Sequence, residues 1–598
     1  MSDPALYLRG AEDLRRNERQ WQAYESTGHC VLLAGPGSGK TKTLTVKLAR
    51  MLSEDVNEPR GIACITYNNE CARELETRLD ALGISPNGRV FIGTVHSFSL
   101  TQILFPYAKL AGVGLPDEFT VATRQQSRAA LERAHAKVIK GPENPQTWDF
   151  RMGVYRRRFL VREQSNFDIA DPQLAKLVTA YEAELRAKSL IDFDDMPLLA
   201  VRALGTNPWL RKALVAKYPI LAVDEYQDLG RALHGMVMGL CFGAGMRLFA
   251  VGDVDQSIYG FTGAHPELLR RLSERSDVEM VRLGLNYRSG SKIVAASEYA
   301  LGEKRGYRAP DDAHEGTIYF HPCTGSYAGQ ARHLIEQLIP EIRERRPDLD
   351  LGEVAVLYTA AFIGDEVANA AEGAGYSVTR TDANALYPRS SRLLRWLEQC
   401  AMWCCGGWRS GDPRLSRVIG EGSRLFHEVL IDDAARLEFQ RALTAALWSR
   451  RDDTLGLCDW LTELREEIVA PHVANARSLH DDLGLLDILI ARLGPDGDME
   501  DLTLGEFAGI GTGLNRINLS TLHSAKGREF DVVILVGMEE GRLPRNNPST
   551  NDLREARRLF YVGFTRARHE VHLLYGKNIP SRFVEEVEER LANEKEWL

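Results

Sequence analysis

Short runs of β-branched and aliphatic residues recur along the chain, separated by longer stretches whose apolar positions follow helical spacing. Such alternation predicts parallel α/β layers, in which buried strands are joined by helices. In the first half the runs fall at 31–35, 62–67, 90–96, 220–225, 248–253 and 279–287. In the second half they fall at 354–358, 517–523, 532–537 and 571–575. Two stretches break the pattern. Residues 101–190 and 394–514 are rich in Ala, Leu, Arg and Glu and hold few strand runs, so both are read as helical. The fold class is therefore α/β, with two cores of parallel sheet flanked by helices, each interrupted by a helical insertion. The first core comprises 1–100 and 191–290, and the second comprises 291–393 and 515–598.

Composition changes this picture only modestly. A chain of 598 residues has room for roughly four domains of ordinary size. Its 44% hydrophobic and 26% charged residues are those of a soluble globular protein. The net charge of −9 argues against a uniformly basic nucleic-acid binder but allows a locally basic groove. The N-terminal MSDPALYLRGAEDLRRNERQ is polar, with no apolar run fit for a signal peptide. No stretch approaches the length needed to span a bilayer. Nine scattered cysteines, an odd number, fit reduced thiols, and a cytoplasmic placement without membrane contact is expected. Cys400, Cys404 and Cys405 stand at helical spacing, yet no fourth metal ligand is close, so they are read as buried helical cysteines.

Candidate chemistry starts at VLLAGPGSGKTKTL, a glycine-rich turn between a buried strand and a helix. Backbone N–H groups of Gly35, Gly37, Ser38 and Gly39, with the helix N-terminus behind them, would cradle phosphate oxygens. Lys40 would reach the terminal phosphates, with Lys42 nearby, and the Thr41 hydroxyl would bind Mg²⁺. The first position of the usual pattern is Ala34 rather than glycine. A second element, ILAVDEYQD ending at Asp228, is an apolar strand closing in two acids. There Asp224 would hold Mg²⁺, and Glu225 would position or deprotonate the attacking water. Phosphoryl transfer also needs cations around the developing charge, and Arg288 in GLNYRSGSK and Arg566 in FYVGFTRARHE qualify by context.

These elements belong to a longer series. In order, the chain carries NERQ, AGPGSGKT, TYNNECARE, GTVHSF, DFDDM, VDEYQD, VGDVDQSIYGFTGA, NYRS, AVLY, TLHSAKGREFD, VILVGMEEGRLP and RRLFYVGFTRAR. From Gln20 to Arg568 this resembles the motif series of superfamily 1 DNA helicases of the UvrD/PcrA/Rep family, in order and at compatible spacing. The resemblance implies two RecA-like P-loop NTPase cores, 1A and 2A, with ATP between them and insertions 1B (101–190) and 2B (394–514). It implies 3′ to 5′ movement on single-stranded DNA and unwinding at junctions, in repair, replication or anti-phage defence. Carried over by position, Gln20 reads the adenine edge, Tyr287 stacks on the base, Gln256 senses the γ-phosphate and Glu529 lies near the ribose and triphosphate. Arg288 and Arg566 become arginine fingers.

For the strand itself, the candidates are Tyr67, Asn68, Thr94, His96, Phe98, Tyr259, Phe261 and His523, all at or just beyond the ends of core strands. For Phe98 and Tyr259 the less favoured alternative is a core aromatic. The run 154–162 has three successive arginines and is read as a solvated helix face rather than a phosphate contact. The acids at 192–195 are read as a structural helix start. Several positions depart from the family pattern. Phe261 replaces a common tryptophan, while Thr262, Glu70 and Thr359 stand where cations are usual, and Arg528 adds one back. The 2B segment looks short, and 420–426 is the nearest run to the expected glycine-centred hairpin. The alternative is thus a DNA-sensing ATPase subunit that switches a partner such as a nuclease, with little unwinding of its own.

Overall fold

The structure is a computed structural model, and it describes all residues except 1–3, 67–68, 85–87, 161, 163–165, 261–262, 325, 474–478, 496, 498, 500–501, 513–514 and 594–598. The chain divides into two compact units. Unit 1 is Met1–Gly316 with Ser549–Tyr561, and unit 2 is Thr317–Pro548 with Val562–Leu598.

In unit 1 the strands along the chain are β1 (His29–Ala34), β2 (Ile62–Thr66), β3 (Val90–Thr94), β4 (Thr120–Val121), β5 (Leu190–Ile191), β6 (Ile220–Val223), β7 (Arg247–Gly252) and β8 (Val278–Leu283). Six of them form a parallel sheet in the order β3-β2-β6-β7-β1-β8. Alternate side chains supply two cores. Val31, Leu33, Ile65, Leu221 and Leu248 pack on one face, and Cys30, Leu32, Ile62, Cys64 and Phe249 on the other. Burial on both faces explains why these strands read as continuous apolar runs. Because β6, β7 and β1 are parallel neighbours, whatever follows each of them is delivered to the same edge of the sheet.

Three expectations shift here. The 90–96 run ends at Thr94, because its hydroxyl accepts the Ser97 N–H and starts the helix Val95–Phe98. The short pair β4–β5 was not anticipated, since two residues are too few to show a period. Unit 1 also extends past the 290/291 boundary to Gly316. The chain after the helix Ser291–Leu301 folds back, with His314 and Glu315 carbonyls accepting the Ser291 and Lys292 N–H groups and the Arg308 carbonyl accepting that of Asn286.

The insertion in unit 1 packs the helices Arg124–Val138 and Pro172–Arg186 around Leu131, Trp148, Tyr155, Leu177 and Tyr181. Its basic run is a solvated face only in part, at Val154 and Arg158. Arg156 is buried, and its guanidinium bonds Glu182 at 3.0 Å, Asp192 at 2.5 Å and Asp195 at 2.7 Å. Burial works against its charge, but the three carboxylates hold it protonated well above the ordinary arginine range. Arg162 and Arg186 join the same cluster through Glu182 and Asp195.

Unit 2 holds β9 (Thr317–Cys323), β10 (Val354–Tyr358), β11 (Val378–Arg380), β12 (Ile517–Thr521), β13 (Phe530–Leu535) and β14 (Ala567–Gly576), parallel in the order β11-β12-β10-β13-β14-β9. The two strands missing from the sequence reading, β9 and β11, are its edges. Edge strands carry polar residues such as Thr317, His321 and Arg380, which blunt the apolar signal. The intervening helices, from Arg392–Met402 to Leu504–Thr512, surround a core of Trp396, Phe426, Phe439, Trp460 and Phe507. Cys400 and Cys404 are buried in it, and the Cys404 thiol donates to the Leu447 carbonyl at 3.5 Å. Among the described residues no group of His, Cys, Asp and Glu is arranged to hold a metal ion.

Removing one partner from a buried ion cluster strands the others. Arg156→Ala is expected to destabilise unit 1 by about 3 kcal/mol or more. Urea unfolding of this variant beside wild type checks it, and a loss below about 1 kcal/mol would mean the cluster is solvated after all.

Candidate active site

The phosphate loop follows β1. Gly37 (φ 65°) and Gly39 (φ 78°) adopt left-handed backbone, and the helix Lys40–Arg50 begins directly after them. Crowding makes Gly37 obligatory, because a Cβ there would lie 2.3 Å from Asn286 Oδ1 and 2.6 Å from the Arg288 Cβ. The Ser38 hydroxyl donates to the Gly35 carbonyl at 2.7 Å, closing the turn. Thr41 is half-buried in the first helical turn. The Lys42 side chain pairs with Asp13 on the surface at 3.2 Å.

Lys40 makes a salt bridge to Glu225, which follows β6. Burial disfavours the ammonium, but Glu225, Asp224 and Asp253 together raise its pKa above the ordinary lysine value. The acids respond in kind. Burial, then the neighbouring Glu225, pushes the Asp224 carboxyl up to about 7. Burial, then Asp255, pushes Asp253 up to about 7. Glu225 sits at φ 51°, a left-handed conformation that costs a non-glycine residue and concentrates at functional sites. Gln227 ties the arrangement together, its amide donating to Glu225 at 2.5 Å and accepting the Asp253 N–H at 2.9 Å. Gln256, after β7, donates to Asp253 at 2.7 Å. Neither Gln227 nor Asp253 was singled out from sequence, although both lie inside motifs that were.

A second group flanks the loop. The Gln20 amide donates to the Ser38 carbonyl at 3.0 Å, and the Gly37 carbonyl accepts the Tyr287 N–H at 2.9 Å. The Tyr287 ring is 49% exposed, and its hydroxyl accepts from the Asn17 amide at 2.9 Å. Buried Asn286 accepts the N–H groups of Arg288 and Ser289, fixing the bend that carries Arg288 beside Gly37. Unit 1 therefore gathers Gln20, the loop, Asp224, Glu225, Gln256, Tyr287 and Arg288. Glu529 and Arg566 lie in unit 2. Glu529 is 3.8 Å from Arg568. Arg566 is buried, donating to the Val562 carbonyl at 2.9 Å at the end of the helix Thr550–Phe564.

Unit 1 also has a cleft of about 660 Å³, whose lining includes His96, Arg157, Arg158, Phe193, Arg231 and His265. His96 stacks on Phe193 at 4.1 Å, and Phe193 is 62% exposed. Burial pushes His96 down to about 4, so it is a neutral ring at ordinary pH. Arg157 pairs with Asp194 at 2.7 Å.

The chain resembles known proteins along nearly its whole length. The model for the UvrD/REP helicase N-terminal domain matches residues 16–277, and that for the UvrD-like helicase C-terminal domain matches residues 499–578. The chain belongs to the UvrD/Rep helicase family. With that family go two RecA-like cores and ATP hydrolysis. The ATP-dependent DNA helicase Rep of Escherichia coli is 27% identical, covering 96% of this chain and 94% of its own length. The ATP-dependent DNA helicase PcrA of Leuconostoc citreum is 26% identical over 96% of this chain and 85% of its own. DNA helicase II of Rickettsia typhi is 25% identical over 96% and 95%.

Among the strand candidates of this UvrD/Rep chain, Thr94 and His96 sit at the end of β3, with His96 in the cleft. Tyr259 is half-buried, and half-buried His523 follows β12 in unit 2. Phe98 is a correction. It is fully buried against Phe91, in T-shaped contact at 5.3 Å, and offers no ring face to a ligand. Tyr67, Asn68 and Phe261, with Thr262, lie outside the described residues. Sequence reasoning missed Phe193, taking its segment for a plain helix start. An apolar residue bracketed by acids was the available signal.

Gly37→Ala is expected to weaken nucleotide binding about tenfold or more, through left-handed strain and the Asn286 clash. Titration with a fluorescent ATP analogue measures this, and wild-type affinity in the variant would show that the loop has slack.

Proposed function

We propose that this chain is an ATP-driven motor that moves 3′ to 5′ along single-stranded DNA and separates duplex ahead of it. The observation that carries the reading is the buried cluster of Lys40, Glu225, Asp224 and Asp253 at the shared ends of β1, β6 and β7, in the same unit as an aromatic, arginine-lined cleft. Phosphoryl transfer is catalysed mainly by positioning and electrostatics, and this cluster supplies both. When nucleotide binds, Lys40 exchanges Glu225 for the terminal phosphates. Glu225 is then free to orient the attacking water and take its proton. Gln256, anchored on Asp253, reports on the γ-phosphate. Arg288 and Arg566 meet the developing charge, while Gln20 and Tyr287 receive the adenine, and Glu529 approaches the ribose.

Burial raises Asp224 and Asp253, with Glu225 and Asp255 adding to it respectively, and the excess of carboxylates over the one ammonium suits a divalent cation. The residues present therefore fit Mg²⁺, with Thr41 and Asp224 as its holders. Bound there, the ion would neutralise charge on the transferring phosphoryl group.

For the strand, His96 stacked on exposed Phe193 offers a neutral aromatic surface, and Arg158 and Arg231 offer charge for phosphates. Base stacking and backbone charge together grip a strand without regard to sequence.

ATP turnover with and without a single-stranded oligonucleotide tests the reading. Strong stimulation by DNA is expected, falling about 10²–10⁴-fold in Glu225→Gln. Turnover indifferent to DNA would refute the motor. Strand displacement from 3′-tailed but not 5′-tailed duplexes fixes the direction, and the reverse preference would overturn it.

A further inference from the structure

In unit 2 the strands β12, β10 and β13 are parallel neighbours, so the segments after each emerge along one edge. The Leu522 N–H donates to the Tyr358 carbonyl at 2.8 Å and the Val536 N–H to the Leu357 carbonyl at 2.9 Å, which keeps these exits in step. His523 follows β12, Thr359 and Phe362 follow β10, and Arg542 lies beyond β13. Open α/β sheets present ligands at this edge.

Arg542 is held there in an unusual way. Its Nε donates to the Thr359 hydroxyl at 3.0 Å, and its guanidinium lies 4.5 Å from the centre of the Phe362 ring. Among the described residues it forms no ion pair, and its Nη2 is enclosed without a hydrogen-bond partner. The neighbouring acid is already committed, because Glu539 accepts from Gln330 and from the Gly576 N–H. Phe362 is 48% exposed and meets Tyr327 at 5.8 Å, so an aromatic surface adjoins the cation. A guanidinium oriented by a ring but lacking an anion is incomplete, since buried donors are normally satisfied.

We infer that Arg542 and Phe362 form a strand-binding site on unit 2, Arg542 taking one backbone phosphate of single-stranded DNA and Phe362 stacking on an adjacent base. This rests on the proposed function and adds to it. Thr359 occupies a position where the sequence reading counted a lost cation, and its hydroxyl instead anchors a cation brought from 183 residues away.

The test is equilibrium binding of a fluorescent oligothymidylate to the full chain over a range of salt concentrations. Losing one phosphate contact should reduce the steepness of log K against log salt by about 0.7 in Arg542→Gln, while Arg542→Lys keeps the wild-type slope. Phe362→Leu, which preserves apolar packing, should weaken binding about tenfold with the slope unchanged. Wild-type slope in Arg542→Gln together with wild-type affinity in Phe362→Leu would overturn the inference, leaving the pair a structural tie. Should Arg542→Gln melt early, Phe362→Leu decides alone, with weakened binding supporting the site and wild-type affinity refuting it. A wild-type chain that fails to bind the oligonucleotide at all would sink the motor reading itself. Tight wild-type binding with unchanged variants sinks only this site.

Discussion

One ammonium and three carboxylates share the ends of β1, β6 and β7, and much of unit 1 exists to hold them there. Charges removed from water are tolerated only when paired and hydrogen-bonded. Lys40 answers Glu225 directly and feels Asp224 and Asp253, while Gln227 bridges the two strand ends that carry the acids. Burial, then the adjacent carboxylates of Glu225 and Asp255 respectively, still pushes Asp224 and Asp253 up to about 7. Glu225 adds backbone strain on top of that electrostatic cost. The cluster therefore keeps Lys40 charged while leaving its acids short of cationic partners.

The second buried cluster, around Arg156, also shapes the cleft beside it. Asp192 and Asp195 cap each other's backbone N–H groups and both turn inward to Arg156. With Asp192 and Asp195 fixed inward, Phe193 between them faces out, where it meets His96. Asp194 pairs with Arg157 on the wall of the same cleft. Four consecutive residues therefore divide between the buried cluster, at Asp192 and Asp195, and the cleft lining, at Phe193 and Asp194, so core stability and cleft shape are set by one short segment.

How much of this was legible follows from what a local pattern can encode. Central strands, buried on both faces, announced themselves as apolar runs, and the phosphate loop carries its own glycine signature. The edge strands β9 and β11 did not, because half-exposed strands mix polar residues into the pattern. Phe98 looked like a strand contact because it follows one, yet the helix Val95–Phe98 turns it into the core. Arginines 156, 157 and 158 read as one basic face, but helical geometry sends them to a buried cluster, a cleft pair and the surface respectively. The Thr359–Arg542 contact was invisible for a different reason. A position-by-position reading records a missing cation, while the fold brings in a replacement from another strand end.

Arg566 shows how a cation is kept inside the protein at a helix end. Its guanidinium donates to the Val562 carbonyl and the Thr565 hydroxyl at the end of the helix Thr550–Phe564, where cations satisfy open carbonyls and the helix dipole. Both are charge-assisted bonds from an ionised donor, each contributing about 1.5–3 kcal/mol. Together they offset the cost of taking the guanidinium out of water, so Arg566 stays paired and oriented against the helix it follows although it is buried.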